Sequence, residues 1–187
     1  MKRYKEWQNN ENSEGKRLFA LVIGALIFPI SIPAILVLLL PQADKIIGFG
    51  SFYVGSGNII IGVIAIIMGG FLAFWTIIAQ IKLASGTPFP MLPTKTLLII
   101  GPYKYCRNPM TLGTIMAYSG VVILVGSYTA LLVVVIFSLM LLVYLKLIEE
   151  KELEIRFGRE YLEYKKNTPF ILPISIVKVK KDHKQEK

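Results

Sequence analysis

The sequence has very little of the chemistry that disulfide frameworks and metal centres require. Its 187 residues include one cysteine, Cys106, and one histidine, His183. A single cysteine cannot close an intramolecular disulfide or form a cysteine-cluster zinc or iron–sulfur site. A single histidine in a polar tail argues against a histidine-based metal centre or a catalytic triad. We therefore expect no metal site in this protein.

Charge is also scarce, and long stretches of the chain have none. Charged residues make up 18% of the sequence, hydrophobic residues make up 54%, and the mean hydropathy is +0.58. The apolar runs 18–40 and 59–81 contain no charge, and the run 110–148 contains only Lys146. Runs of this length are typical of membrane-spanning helices and not of the core of a small soluble domain.

The third apolar run is too long for one span. A helix of its 39 residues would be about 58 Å long, nearly twice the ~30 Å hydrocarbon core. We predict that it turns at Gly126-Ser127 into a hairpin of roughly 16 and 21 residues. Glycines in the second run (Gly62, Gly69 and Gly70) favour close helix packing. The predicted fold is all-α, a polytopic transmembrane helical bundle of about four spans with a helical hairpin and a cytosolic C-terminal helix.

The basic residues predict the orientation of these spans. Five precede residue 18, one lies in the loop 41–58, four lie in 82–107, none lies in the hairpin turn, and ten follow residue 148. Because excess Lys and Arg marks cytoplasmic segments, we expect cytosolic termini in a multi-pass protein of an inner or plasma membrane, or of the endoplasmic reticulum in a eukaryote. The net charge of +9 then reflects orientation, and we expect no nucleic-acid partner. The predicted organisation is a polar segment 1–17, one membrane-embedded domain 18–177 and a basic tail 178–187.

Two cytoplasmic segments carry the polar chemistry. In the first, Asn108 followed by Pro109 predicts a helix start, with Asn as the cap and Pro at the first helical position. The free N–H groups of such a helix end attract a carboxylate or phosphate, and Arg107 adds a forked donor. The alternative is an ordinary capped helix whose arginine binds lipid phosphates.

The second segment begins where the fourth span leaves the bilayer. Glu149 and Glu150 lie at this boundary, where carboxylates are costly unless they have partners. The alternative is a solvated helix with pairs such as Glu152–Arg156, and we assign this alternative to Glu152, Glu154, Glu160 and Glu163. The hairpin should bring both segments to one cytoplasmic cleft, which would suit a ligand with a carboxylate and a cation.

These residues resemble a known family. The segments Gly101-Pro-Tyr103, Arg107-Asn-Pro-Met110 and Glu149-Glu150, with later aromatic residues such as Tyr161 and Tyr164, are similar to the membrane methyltransferases that include isoprenylcysteine carboxyl methyltransferase and the phospholipid N-methyltransferases. The similarity covers about residues 95–173.

The resemblance implies an S-adenosylmethionine-dependent methyltransferase with a lipophilic acceptor that enters from the bilayer. It implies these cofactor-binding residues: Thr96, Leu97, Leu98, Tyr103, Asn108, Pro109, Met110, Thr111 and Glu149. It implies catalytic roles for Arg107, Asn108 and Glu150. The acceptor would be the carboxylate of a prenylated cysteine-like molecule or another small lipid.

Departures from the family pattern leave alternatives open. Asn108 stands where the family often has His, Thr111 where it has Tyr, and Leu145 where the prenylcysteine enzymes carry an Arg that is thought to touch the substrate. The alternatives are a phospholipid ethanolamine N-methyltransferase and a non-catalytic membrane subunit. Sterol-reductase-like chemistry is a further rival, but the chain is short for it and has no evident dinucleotide motif. The oligomeric state is not predicted. We expect Cys106 to pack and not to act as a nucleophile.

Overall fold

The described part of the chain is helical throughout its regular structure. The computed structural model describes residues 19, 22–24, 26–83 and 96–173. A short 3₁₀ turn, Gly101–Lys104, precedes the third of five helices. We label the helices α1 (Val22–Ile47), α2 (Ser56–Leu83), α3 (Pro109–Val125), α4 (Tyr128–Phe157) and α5 (Arg159–Asn167). The described residues contain no β-strand beyond one isolated bridge between Ser51 and Ser127, and the all-α prediction is confirmed.

Three of the helices have the length and composition of a membrane span. These are α1, α2 and α4, each an apolar helix of 26 or more residues. The apolar helix α3 has 17 residues, a length of about 25 Å, which falls just short of the ~30 Å hydrocarbon core. The protein is therefore an integral membrane protein, and its third predicted span is the shortest one.

The first span is longer than predicted, and its prolines explain why. Wider turns interrupt α1 at Ile27–Ser31 and Ile35–Leu39, each closely followed by a proline. In the second turn the N–H of Leu40 donates to a carbonyl five residues back, and Pro41, which has no N–H, comes next. A wider turn at this point lets the helix continue past a residue that cannot make its own bond. The predicted end at residue 40 is wrong, because α1 runs on to Ile47.

Glycines let α2 and α3 approach until their backbones touch. A Cβ added at Gly69 would lie 2.5 Å from the carbonyl oxygen of Gly113, and one at Gly62 would lie 2.8 Å from that of Gly120. These distances leave no room for a side chain, so the two predicted packing positions are confirmed. Gly70 faces open space instead, and its prediction as a packing residue is wrong.

The hairpin between α3 and α4 turns where the length argument placed it. Gly126 ends α3 with a φ of 68°, and the Ser127 hydroxyl accepts a hydrogen bond from the N–H of Ala130 at the start of α4. The end of α1 packs here, where Asp44 Oδ1 accepts from the N–H of Thr129 at 2.9 Å. These bonds close the end of the bundle that lies far from residues 96–108.

Candidate functional site

A buried ion pair joins the two polar segments. Nη1 of Arg107, just before α3, lies 2.5 Å from Oε1 of Glu150 in α4, and the two side chains are only 7% and 4% exposed. The hairpin places the start of α3 beside the end of α4, because α3 runs from this end of the bundle to the turn and α4 runs back from the turn. The predicted meeting of the two segments at one end of the bundle is confirmed.

Two lysines complete this charged cluster. Nζ of Lys146 and Nζ of Lys165 lie 3.2 and 2.8 Å from Oε2 of Glu150, and Lys165 also contacts Glu154 at 2.7 Å. Hydrogen bonds to these two carboxylates raise the pKa of Lys165. Three cations thus face two carboxylates, and the cluster carries one surplus positive charge. A further anion near it would be attracted and not repelled.

The start of α3 is built as predicted in its backbone but not in its cap. Pro109 is the first helical residue and Asn108 occupies the cap position, but the Asn108 side chain makes no capping bond. Its Nδ2 donates instead to the carbonyl of Phe170 at 2.9 Å. The predicted cap position is therefore confirmed, but the capping bond expected of the Asn108 side chain is absent. The N–H groups of Met110 and Thr111, which a cap would satisfy, receive nothing from this side chain.

Tyr103 lies at the centre of a second, mostly apolar part of the site. Its hydroxyl accepts a hydrogen bond from Nε2 of Gln80 in α2 at 2.6 Å, and its carbonyl accepts one from the Tyr164 hydroxyl in α5 at 2.7 Å. Its ring packs against the buried side chains of Leu98 and Ala79. The segment 98–103 is thus held between α2 and α5.

Glu149 affects the pKa of Tyr103 in this second part of the site. Its side chain is half-buried. Burial raises the pKa of the Tyr103 hydroxyl well above its usual range, the negative charge of Glu149 raises it further, and the Gln80 hydrogen bond opposes both effects. A phenol with such a pKa stays protonated at neutral pH, so Tyr103 can donate a hydrogen bond but is no base.

The remaining predicted residues are distributed around these two parts. Thr96 is exposed, Leu97 is half-buried, and Met110 and Thr111 are half-buried in the first turn of α3. Cys106 is buried, and its burial raises the pKa of the thiol, which agrees with a packing role. The roles assigned to all of these residues stay predictions.

Four residues of the site were not singled out from the sequence. They are Gln80, Lys146, Lys165 and Phe170. Gln80 had a signal, since it is one of two sizeable polar side chains in the second apolar run. Its Oε1 is buried and lacks a hydrogen-bond partner within the described residues. Lys146 also had a signal, since it is the one charge in the third apolar run and lies four residues before Glu150. Lys165 and Phe170 looked like ordinary surface and loop residues, and only the folded structure brings Lys165 to Glu150 and Phe170 to Lys146.

Comparison with known protein families finds one match. A family model described as phospholipid methyltransferase matches residues 58–160, which is more than half of the chain. No curated protein and no solved structure matches the chain. The matched range extends from the beginning of α2 into α5, and it includes both partners of the buried ion pair. The chain therefore belongs to the phospholipid methyltransferase family of membrane methyltransferases.

Proposed function

We propose that the protein transfers a methyl group from S-adenosylmethionine to a lipophilic acceptor at the cytosolic boundary of the membrane. The observation that carries this proposal is the buried contact between Arg107 and Glu150. It brings an uncapped helix start and a carboxylate pair to one place, at the point where an apolar helix becomes charged. A lipid could reach this place from the bilayer, and a water-soluble cofactor could reach it from the cytosol.

The residues present fit the cofactor by their chemistry. The methionyl carboxylate would be held by the free N–H groups of Met110 and Thr111, beside the surplus positive charge of the cluster. One buried donor favours the same ligand, because Nε of Arg107 lacks a hydrogen-bond partner within the described residues. The ammonium would pair with Glu149, and the adenosine would lie near Tyr103.

The protein's part in such a reaction is mainly positioning. When bound, S-adenosylmethionine supplies an electrophilic methyl group on a good leaving thioether. The chain then has to hold the acceptor in line and keep water out. The ion pairs of Glu150 with three cations favour its charged form, so we assign it the positioning of Arg107. This positioning role differs from the catalytic role that the resemblance implied for Glu150.

Within this function, we propose a phospholipid amine as the acceptor, ahead of a prenylcysteine carboxylate. Its ammonium would first lose a proton to water, and the neutral amine would then take the methyl group. Two observations support this order of acceptors. The matching family model is a phospholipid methyltransferase. Leu145, which stands where the prenylcysteine enzymes carry Arg, is also only 5% exposed. A buried leucine can neither pair with a carboxylate nor reach a substrate at this position.

The direct test is methyl transfer in reconstituted vesicles. Purified protein would be incubated with methyl-labelled S-adenosylmethionine in vesicles that contain phosphatidylethanolamine, in vesicles of phosphatidylcholine alone, and in the latter with a prenylated cysteine added. We expect label in the lipid fraction of the first sample only. Label in the third sample alone would replace the amine with the carboxylate acceptor.

The variant that tests the cofactor site is Glu149→Gln, which keeps the shape of the side chain and removes its charge. We expect this variant to lose most of the transfer at limiting cofactor. Absence of transfer from every sample, together with no cofactor binding by a folded protein, would favour the non-catalytic membrane subunit.

A further inference from the structure

The residues that follow α5 return to the start of α3 and bind it. The carbonyl of Pro169 accepts a hydrogen bond from the backbone N–H of Arg107, and the carbonyl of Phe170 accepts one from Nδ2 of Asn108, each at 2.9 Å. Two successive carbonyls thus receive two donors from two successive residues. This paired contact fixes residues 169–170 relative to the beginning of α3.

The ring of Phe170 anchors the same contact. Its centroid lies 5.6 Å from the guanidinium carbon of Arg107 and 5.0 Å from Nζ of Lys146. Both distances are in the range in which a cation is attracted to an aromatic face. Because Arg107 precedes α3 and Lys146 belongs to α4, one ring holds residues 169–170 to both sides of the ion-pair cluster.

The contact decides which way the Asn108 amide faces. A carbonyl can only accept, so the NH₂ group of Asn108 must face Phe170 and its Oδ1 must face away from it. Asparagine is among the strongest N-cap residues, and its Oδ1 would ordinarily accept from the N–H groups two and three positions on. Here those belong to Met110 and Thr111, and the capping bond is absent.

We propose that Phe170 is a positioning residue that keeps the side chain of Asn108 off the end of α3, so that the Met110 and Thr111 N–H groups stay available to an anionic ligand. The ligand-binding part of this inference rests on the proposed function, in which that anion is the carboxylate of the cofactor. Without the anchored carbonyl of Phe170, the Asn108 side chain would cap the helix and compete with the ligand.

The test compares Phe170→Leu with Phe170→Tyr, in the full chain in nanodiscs. Leucine keeps the apolar volume but removes the aromatic face, whereas tyrosine keeps that face. For S-adenosylhomocysteine, we expect Phe170→Leu to weaken binding by about 2- to 30-fold, the factor that corresponds to an N-cap interaction. Phe170→Tyr should bind like the unchanged protein. Thermal unfolding shows whether each variant is folded.

A second background separates positioning from a general loss of structure. In Asn108→Ala no side chain can compete for the helix end, so adding Phe170→Leu should change affinity little. Equal weakening by Phe170→Leu in both backgrounds would overturn the inference, and so would unchanged affinity in a folded Phe170→Leu variant.

Amide exchange supplies a readout that needs no ligand. If the Asn108 side chain moves onto α3 in Phe170→Leu, the Met110 and Thr111 amides should exchange more slowly than in the unchanged protein. This slowing should vanish in the Asn108→Ala background. If the unchanged protein binds no S-adenosylhomocysteine, the proposed function fails while exchange still decides the positioning of Asn108. Unaltered exchange in a folded Phe170→Leu variant that binds more weakly would overturn the positioning alone.

Discussion

At the scale of single residues, the contact that matters most for the stability of the site is the buried ion pair of Arg107 and Glu150. We expect Arg107→Met to lower the free energy of unfolding by about 3 kcal/mol, at the low end of the range for breaking a buried ion pair. The loss stays at this end because Lys146 and Lys165 still contact the Glu150 carboxylate. Unfolding in detergent, followed by circular dichroism, measures the change.

A double substitution tests whether the pair acts as a unit. In Arg107→Met/Glu150→Met no buried charge is left without its partner, so we expect much of the lost stability to return. The two lysines that would lose Glu150 are 50% and 31% exposed and can be solvated. Additive losses from the two single substitutions would show that their contact contributes no coupling.

Glu149 is the residue on which the binding of the cofactor depends most directly in our proposal. If its carboxylate pairs with the ammonium of S-adenosylmethionine, Glu149→Gln removes a charge-assisted hydrogen bond of ~1.5–3 kcal/mol. Affinity should then fall by roughly 10- to 150-fold. Calorimetry in nanodiscs measures the affinity. We expect the fold to survive, because the change neutralises a half-buried carboxylate.

The control for this experiment has to be chosen from the structure. The sequence indicated that Glu154 faces solvent, but Glu154 contacts Lys165 at 2.7 Å and shares that lysine with Glu150. Its neutralisation would disturb the charged cluster. Glu163, which is exposed on α5, is a better match, and Glu163→Gln should leave the affinity unchanged. Equal affinity of both variants would remove Glu149 from the site.

At this scale, the role of a residue could be predicted from the sequence where local contacts determine it, and not where distant contacts do. Arg107, Pro109 and the glutamate pair could be predicted, because local rules for helix starts and for charges at a membrane boundary single them out. Gln80 and Phe170 could not, since their roles come from partners 23 and 62 positions away in the chain. The capping bond of Asn108 was predicted wrongly for the same reason, because a distant carbonyl binds its side-chain amide.

At the scale of elements, the contact between α2 and α3 depends on glycine. We expect Gly69→Ala to destabilise the protein by about 1–3 kcal/mol, because its Cβ would lie 2.5 Å from backbone atoms that cannot move independently. Gly70→Ala, one position along the same helix, meets nothing within 4 Å and should be neutral or slightly stabilising. Thermal unfolding of the two variants makes the comparison, and equal midpoints would contradict the close packing.

Lengths predicted the elements better than local residue preferences did. The turn at Gly126-Ser127 followed from arithmetic, since no single span could hold 39 apolar residues. The end of α1 did not, because Pro41 resembles a helix end and the wider turn at Ile35–Leu39 that accommodates it has no clear sequence signature. Tertiary packing against α4 then carries the helix on to Ile47.

At the scale of the whole molecule, the two ends of the bundle differ in kind. One end holds the turn at Gly126 and the loop around Ser51, joined by neutral hydrogen bonds and the single carboxylate of Asp44. The other end holds Arg107, Lys146, Lys165 and their glutamates. This asymmetry is what the distribution of basic residues in the sequence led us to expect, and it supports a cytosolic position for the charged end.

The orientation itself can be tested with single cysteines. Cys106 is buried, so the unchanged protein should label weakly and can serve as background. Val54→Cys lies in the loop between α1 and α2 at a position that is 89% exposed, and Lys151→Cys lies at the charged end, also exposed. In intact cells, a membrane-impermeant maleimide should label Val54→Cys at once and Lys151→Cys only after permeabilisation. The reverse order would place the charged cluster outside the cytosol, where S-adenosylmethionine is not supplied, and the proposed reaction would have to be abandoned together with the orientation.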